Sequence, residues 1–185
     1  MQSPKVDRPK VFESPKPAPV QVTDPNPPAL TGPFEYPHLI VPIDQSKPTE
    51  PIGNQWIARL SPTVSSLVNF DVHEQYAGKA CNLVFYLPPE PHQWWQHFAL
   101  NSPGGINVSR LDQIATDKTT ASNAGPSTPV GSVPQLSLGQ GHPISSAPCE
   151  AGKVVGYRID SQNGLDMSWF QMVTPASGLF MTVSG

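Results

Sequence analysis

Tyr76-Ala-Gly-Lys-Ala-Cys81-Asn-Leu-Val-Phe-Tyr-Leu-Pro88 decides the reading of this chain. It turns at Ala77-Gly78, extends through Leu83, Val84, Phe85, Tyr86 and Leu87, and is stopped by Pro88-Pro89. An apolar, aromatic and β-branched run bounded by turn residues and proline predicts a buried strand. Cys81 opens that strand, and Cys149 is the only other cysteine. The pair predicts one disulfide across a β-sandwich, which the chain-entropy model values at roughly 4 kcal/mol for a loop of this length. The alternative is two buried thiols in a reducing cell. A redox pair fits poorly, since there is no Cys-x-x-Cys and Lys79 is the one basic neighbour.

Outward from that strand the same grammar repeats. Expected strands are His38–Ile43, Trp56–Leu60, Ser66–Val72, Asn82–Leu87, Gln96–Leu100, Ile106–Leu111, Val154–Ile159, Met167–Val173 and Leu179–Val183. In Ser66–Val72, Leu67, Asn69 and Asp71 share one face while Val68, Phe70 and Val72 share the other. Pro42 marks the first of these strands as an edge or a bulge. Trp56 and Trp169 fall in strand patterns and read as core. Short strands between Pro, Gly and Asn turns, without a helical period, predict an all-β fold, an antiparallel β-sandwich.

Two segments depart from the pattern. Residues 1–34 hold nine of the 24 prolines, with Lys5, Lys10 and Lys16 among few apolar residues. Such a segment buries too little to offset its ordering entropy, so a disordered proline-rich arm is expected ahead of a domain at 35–185. Between Ala115 and Pro148 the chain is mostly Ser, Thr, Gly and Pro. A few short strands are expected there, foremost around Ile144, in an otherwise mobile segment.

Composition excludes several classes. Charged residues make up 14% and the net charge is −3, which gives no cationic face for nucleic acid. No apolar run approaches the length of a membrane span. The start, Met1-Gln-Ser-Pro-Lys5, has no apolar signal-peptide core, so the expectation is either an intracellular protein or one whose leader has been removed.

Tyr36-Pro-His-Leu-Ile-Val-Pro-Ile-Asp44, Asn69-Phe-Asp71, Tyr76-Ala-Gly-Lys79, Cys81-Asn-Leu-Val-Phe85, Val154-Val-Gly-Tyr157, Trp169-Phe-Gln171 and Gly178-Leu-Phe-Met-Thr182 together resemble a fungal family, the ubiquitin-3-binding-protein C-terminal domain. The resemblance spans about residues 35–185. It implies secreted or surface proteins without a catalytic signature, and its name implies a ubiquitin-like-modifier activating enzyme as a partner. Thr174-Pro175 stands where relatives often carry Asn-Pro.

Candidate sites are few. Asn107-Val-Ser109 is the one N-glycosylation sequon and, with the disulfide, favours an extracellular or cell-wall location over the cytoplasm. Trp94 and Trp95, flanked by His92 and His97, read as a binding patch, because adjacent indoles of an extended segment face opposite ways and one is left to grip a sugar or a protein. His92, His97 and Glu90 lack the spacing of a zinc site. Asp71, His73 and Glu74 read as a solvated turn rather than an acid–base pair. Asp112, Asp117, Asp160 and Asp166 lack the density of a calcium loop, and Gly104-Gly105 precedes a strand, so neither metal nor cofactor is expected. The function expected is non-catalytic binding of a cell-wall glycan or a protein partner by a secreted or surface protein. Alternatives are an intracellular adaptor for the activating enzyme, and an enzyme acting on wall polysaccharide through paired carboxylates.

Overall fold

The computed structural model describes residues 30, 32–89 and 98–185. Twelve antiparallel strands and one turn of 3₁₀-helix account for the regular structure of these residues. Phe34–Glu35 (β1), Gly178–Ser184 (β12), Ala80–Tyr86 (β5) and Gly141–Pro148 (β9) form a four-stranded sheet in the order β1-β12-β5-β9. Leu39–Asp44 (β2), Val64–Asp71 (β4), Val154–Gln162 (β10), Gly105–Leu111 (β7) and Ser127–Val133 (β8) form a five-stranded sheet in the order β2-β4-β10-β7-β8. Ile57–Leu60 (β3), Asp166–Phe170 (β11) and Phe98–Ser102 (β6) make a third sheet with β11 central. The all-β sandwich expected from the sequence is the fold observed. No helix of the described residues is long and apolar enough to cross a membrane.

The core follows from strand alternation. Cys81, Leu83 and Phe85 of β5, with Leu179, Met181 and Val183 of β12, face Val68, Phe70, Val155, Ile159, Ile106 and Val108 of the five-stranded sheet in one buried cluster. Ala58, Leu60, Phe98, Met167 and Trp169 of the third sheet enter the same cluster. Phe85 meets Trp169 edge to face with ring centroids 5.1 Å apart, a geometry aromatic pairs prefer.

Cys81 and Cys149 are bonded, as the sequence implied, at a sequence separation of 68. The bond does not bridge the two sheets, however. Cys149 directly follows β9, the hydrogen-bonded neighbour of β5, and Cys81 pairs across that ladder with Ala147. The bond therefore staples adjacent strands at one end of the four-stranded sheet. Pro42 does lie on an edge, since β2 is the outermost strand of its sheet and a missing N–H costs nothing on the solvent side.

Residues 115–148 are a correction. The segment expected to be mostly mobile supplies β8 and β9, seven and eight residues long, with Ile144 inside the latter. Ahead of them, residues 112–126 lie over the outer face of the five-stranded sheet, where Ala115 and Ala124 pack on Val41, Ile43, Leu67 and Leu111. Asn69, buried in β4, holds this loop like a strand partner. Its amide donates to Ala115 O at 2.8 Å and its Oδ1 accepts from Ala115 N at 3.1 Å. The facing residue of β10 is Gly156, where a Cβ would press within 3.1 Å of Asn69 Oδ1 and 3.4 Å of the Ile114 Cα. Inside the loop, Thr119 Oγ1 accepts from Thr116 N and Asn123 Oδ1 accepts from Thr120 N. Small polar side chains here satisfy the backbone, which is why composition alone misjudged the segment.

The arm expected over residues 1–34 lies outside the described residues as far as residue 29. Its last residues belong to the domain: Phe34 and Glu35 form β1 on β12, and Phe34 meets Phe180 edge to face at 6.0 Å.

Removing the Asn69 amide leaves the buried N–H and C=O of Ala115 unpaired. Asn69→Ala is expected to lower unfolding free energy by about 2–4 kcal/mol in urea titrations, and a loss under about 1 kcal/mol would refute the clamp. A second expectation concerns alkali. Burial pushes the phenols of Tyr157, Tyr86 and Tyr76 up from their ordinary value, the Arg110 guanidinium partly opposing this at Tyr157. The unfolded chain therefore releases these protons first, so stability is whole below about pH 10 and falls as pH rises through the folded values. Tyr157→Phe should flatten that decline; an identical slope in the variant would contradict it.

Candidate functional site

A shallow groove at the crossing from β1 to β2 carries exposed aromatic rings among the described residues. It encloses about 230 Å³. Tyr36, Pro37, His38 and Ile40 form one wall, Asn54, Gln55 and Trp56 the second, and Phe170 and Gln171 the third.

Each wall is fixed by backbone bonding. His38 N donates to Asn69 O at 3.0 Å, which begins the β2–β4 ladder. On the free side of β2, Ile40 N donates to Asn54 Oδ1 at 3.0 Å and Ile40 O accepts from Gln55 N at 2.8 Å. The exposed edge is thus closed by residues 54–55, which also places Trp56. β11 delivers the third wall. The buried Trp169 donates through Nε1 to Gln171 Oε1 at 3.4 Å, and Gln171 Nε2 donates to Leu179 O at 2.9 Å. Gly178, at φ 107°, makes room, because a Cβ there would collide with Gln171 Oε1 and Trp169 Nε1.

Trp56 corrects the sequence reading. It was expected in the core and is 81% exposed. Alternation would place it with Ala58 and Leu60, both buried, but β3 starts one residue later, where Ile57 pairs with Phe170. Trp56 precedes the ladder, so its indole is free to lie over Phe170, with ring centroids 6.4 Å apart and planes 24° apart. Trp169, by contrast, is core as expected, at 1% exposure. Tyr36 adds a third ring to the groove, 56% exposed.

The electrostatics are sparse. Among the described residues of the lining, His38 is the one ionisable side chain besides the Tyr36 phenol, and its Nδ1 lies 3.1 Å from Asp71 Oδ2. That contact accounts for Asp71. His73 caps the 3₁₀ turn Glu74–Tyr76 by accepting from Gln75 N at 3.2 Å, so the Asp71-His73-Glu74 knot is a turn and a cap. Asp160 accepts from Ser65 Oγ and Arg158 Nε, and Asp166 from Asn101 Nδ2. Among the described residues no three His, Cys, Asp or Glu side chains gather as metal ligands.

Of the sequence-predicted sites, Cys81 and Cys149 are joined, and Asn107 stands exposed on β7 between the buried Ile106 and Val108. Trp94, Trp95, His92 and His97 lie outside the described residues. The groove was missed, although the stretches Tyr36–Asp44 and Trp169–Gln171 supply most of its lining. What the sequence offered was Trp56 beside Asn54 and Gln55 after Pro51 and Gly53, a loop composition rather than a strand.

Fold and site together define a disulfide-bonded β-sandwich with an aromatic groove. Compared with models of protein families, the chain matches the Ubiquitin 3 binding protein But2 C-terminal domain over residues 35–175, and it belongs to that family. No curated protein and no solved structure matched it. The matched stretch ends before β12, which nevertheless pairs with β5 along its whole length.

Trp56 and Trp169 should behave oppositely when truncated. Trp56→Ala is expected to change unfolding free energy by less than about 0.5 kcal/mol, and Trp169→Ala to cost about 3–5 kcal/mol. Equal losses in calorimetry or urea unfolding would contradict the placement of both indoles.

Proposed function

We propose that this protein is exported from the cell and acts without catalysis, by binding a surface glycan or a protein partner in the Tyr36–Trp56–Phe170 groove. The observation that carries this reading is Trp56 itself. A large indole held in solvent over a second ring, on a frame closed by backbone hydrogen bonds, is a contact surface in search of an apolar face. Export is supported by the Cys81–Cys149 bond, since structural disulfides persist in oxidising compartments, and by the exposure of Asn107, which suits a glycan. A second contact through Trp94, Trp95, His92 and His97 belongs to the proposal and rests on composition alone.

A second reading starts from the family's description as ubiquitin 3 binding: the domain is then an intracellular adaptor whose proposed partner is a ubiquitin-like-modifier activating enzyme. The two readings part on covalent state. Intact mass of the protein from the medium of its own host is expected to show a two-hydrogen deficit and glycan mass on Asn107. Trp56→Ala is expected to reduce its retention on the surface of those cells. Recovery from lysate alone, reduced and unmodified, would overturn export and lead to a pull-down of the activating enzyme with the purified chain.

A further inference from the structure

The groove closes itself to one class of partner and opens itself to another. A polypeptide that binds by strand addition needs unpaired backbone groups on a sheet edge. Among the described residues around this groove those groups are largely taken: Ile40 N and O are both bonded to residues 54–55, and β11 is paired with β3 through Phe170 and with β6 as far as Trp169. What remains for a ligand is side-chain surface. Trp56 and Phe170 present near-parallel rings, and Tyr36 adds a third.

The polar groups have the same character. Asn54 Oδ1 and both polar atoms of Gln171 are committed to the fold, so these amides are held rigidly. Among the described residues, the Asn54 Nδ2 and Trp56 Nε1 donors have no partner. Among the described residues the lining carries no Lys, Arg, Asp or Glu, and His38 already faces Asp71. An anionic or cationic ligand would leave its charge uncompensated here, whereas an uncharged one loses nothing.

Resting on the binding role proposed for this groove, we infer that its ligand is a neutral polysaccharide, with the apolar faces of its pyranose rings laid on Trp56 and Phe170 and its hydroxyls accepting from Asn54 Nδ2 and Trp56 Nε1. A flat ring with C–H groups on its face and hydroxyls on its rim matches aromatic plates bordered by fixed amide and indole donors. The uncharged lining sets the choice within carbohydrates: neutral hexose or N-acetylhexosamine polymers rather than uronic acid or sulfated ones.

The test uses the full chain, titrated calorimetrically with hexasaccharides of β-1,3-linked glucose, β-1,4-linked N-acetylglucosamine and α-linked mannose. Oligogalacturonate and a synthetic peptide of residues 1–29 serve as competing occupants. At least one neutral hexasaccharide is expected to bind, with affinity falling roughly tenfold or more in Trp56→Ala and in Tyr36→Ala, two exposed positions whose loss spares the fold. Unfolding curves of both variants confirm that the fold is kept. Binding by none of the neutral sugars, equal binding by Trp56→Ala, or preference for the acidic sugar overturns the inference. So does Trp56-dependent binding of the proline-rich peptide alone, which makes the groove a polypeptide site. If Trp56→Ala weakens retention on cells while no sugar binds, the binding role stands and the ligand class assigned here falls.

Discussion

Trp169 is the residue through which core and surface are made one problem. Its ring packs edge to face on Phe85, in the strand at the heart of the four-stranded sheet, so the third sheet is locked to the sandwich at this point. A buried indole also has an N–H to satisfy. Here the partner is Gln171, which is bonded in turn to Leu179 O and forms one wall of the groove. Only glycine at 178 leaves space for this arrangement. A packing requirement of the interior thus fixes the position of a surface amide, and with it the seat of Phe170 beside the exposed Trp56.

A sandwich of this size has two outer faces to manage as well as one core. On the four-stranded sheet, Phe180 and Tyr86 are covered by Phe34 and Ala176, so the end of the proline-rich segment is recruited into the fold. On the five-stranded sheet, Leu67, Val41 and Ile43 are covered by residues 112–126 through the Asn69 amide. The first cover is an aromatic ring with a small residue beside it, and the second is made of small side chains and backbone. The aromatic rings of the groove are left uncovered, and that contrast, not exposure alone, sets the groove apart from the rest of the surface.

Membership of the Ubiquitin 3 binding protein But2 C-terminal domain family places the chain among binding-type domains. The stretches by which the family resemblance was legible, from Tyr36 and from Trp169, turn out to be the groove's walls and their supports. Residues that read as strand punctuation in one dimension are, in three, the lining of a candidate site.

By itself, the sequence determined the fold class and the identity of the disulfide partners, and it narrowed the strand holding Pro42 to an edge or a bulge. Alternation, turn residues and a strand proline are local signals that constrain the backbone within a few residues of themselves, and a chain with only two cysteines leaves one pairing to choose. The two faces of β4 were readable for the same reason. The tertiary structure alone decided where Cys149 sits relative to Cys81 within one sheet, that residues 115–148 are strands and a pinned loop, and that Trp56 is outside. Each of these depends on a partner far along the chain: β5 for β9, Asn69 for Ala115, Phe170 for Ile57. Strand pairing is a long-range choice, and because the β3 ladder begins at Ile57, Trp56 stands outside it as the exposed ring of the groove.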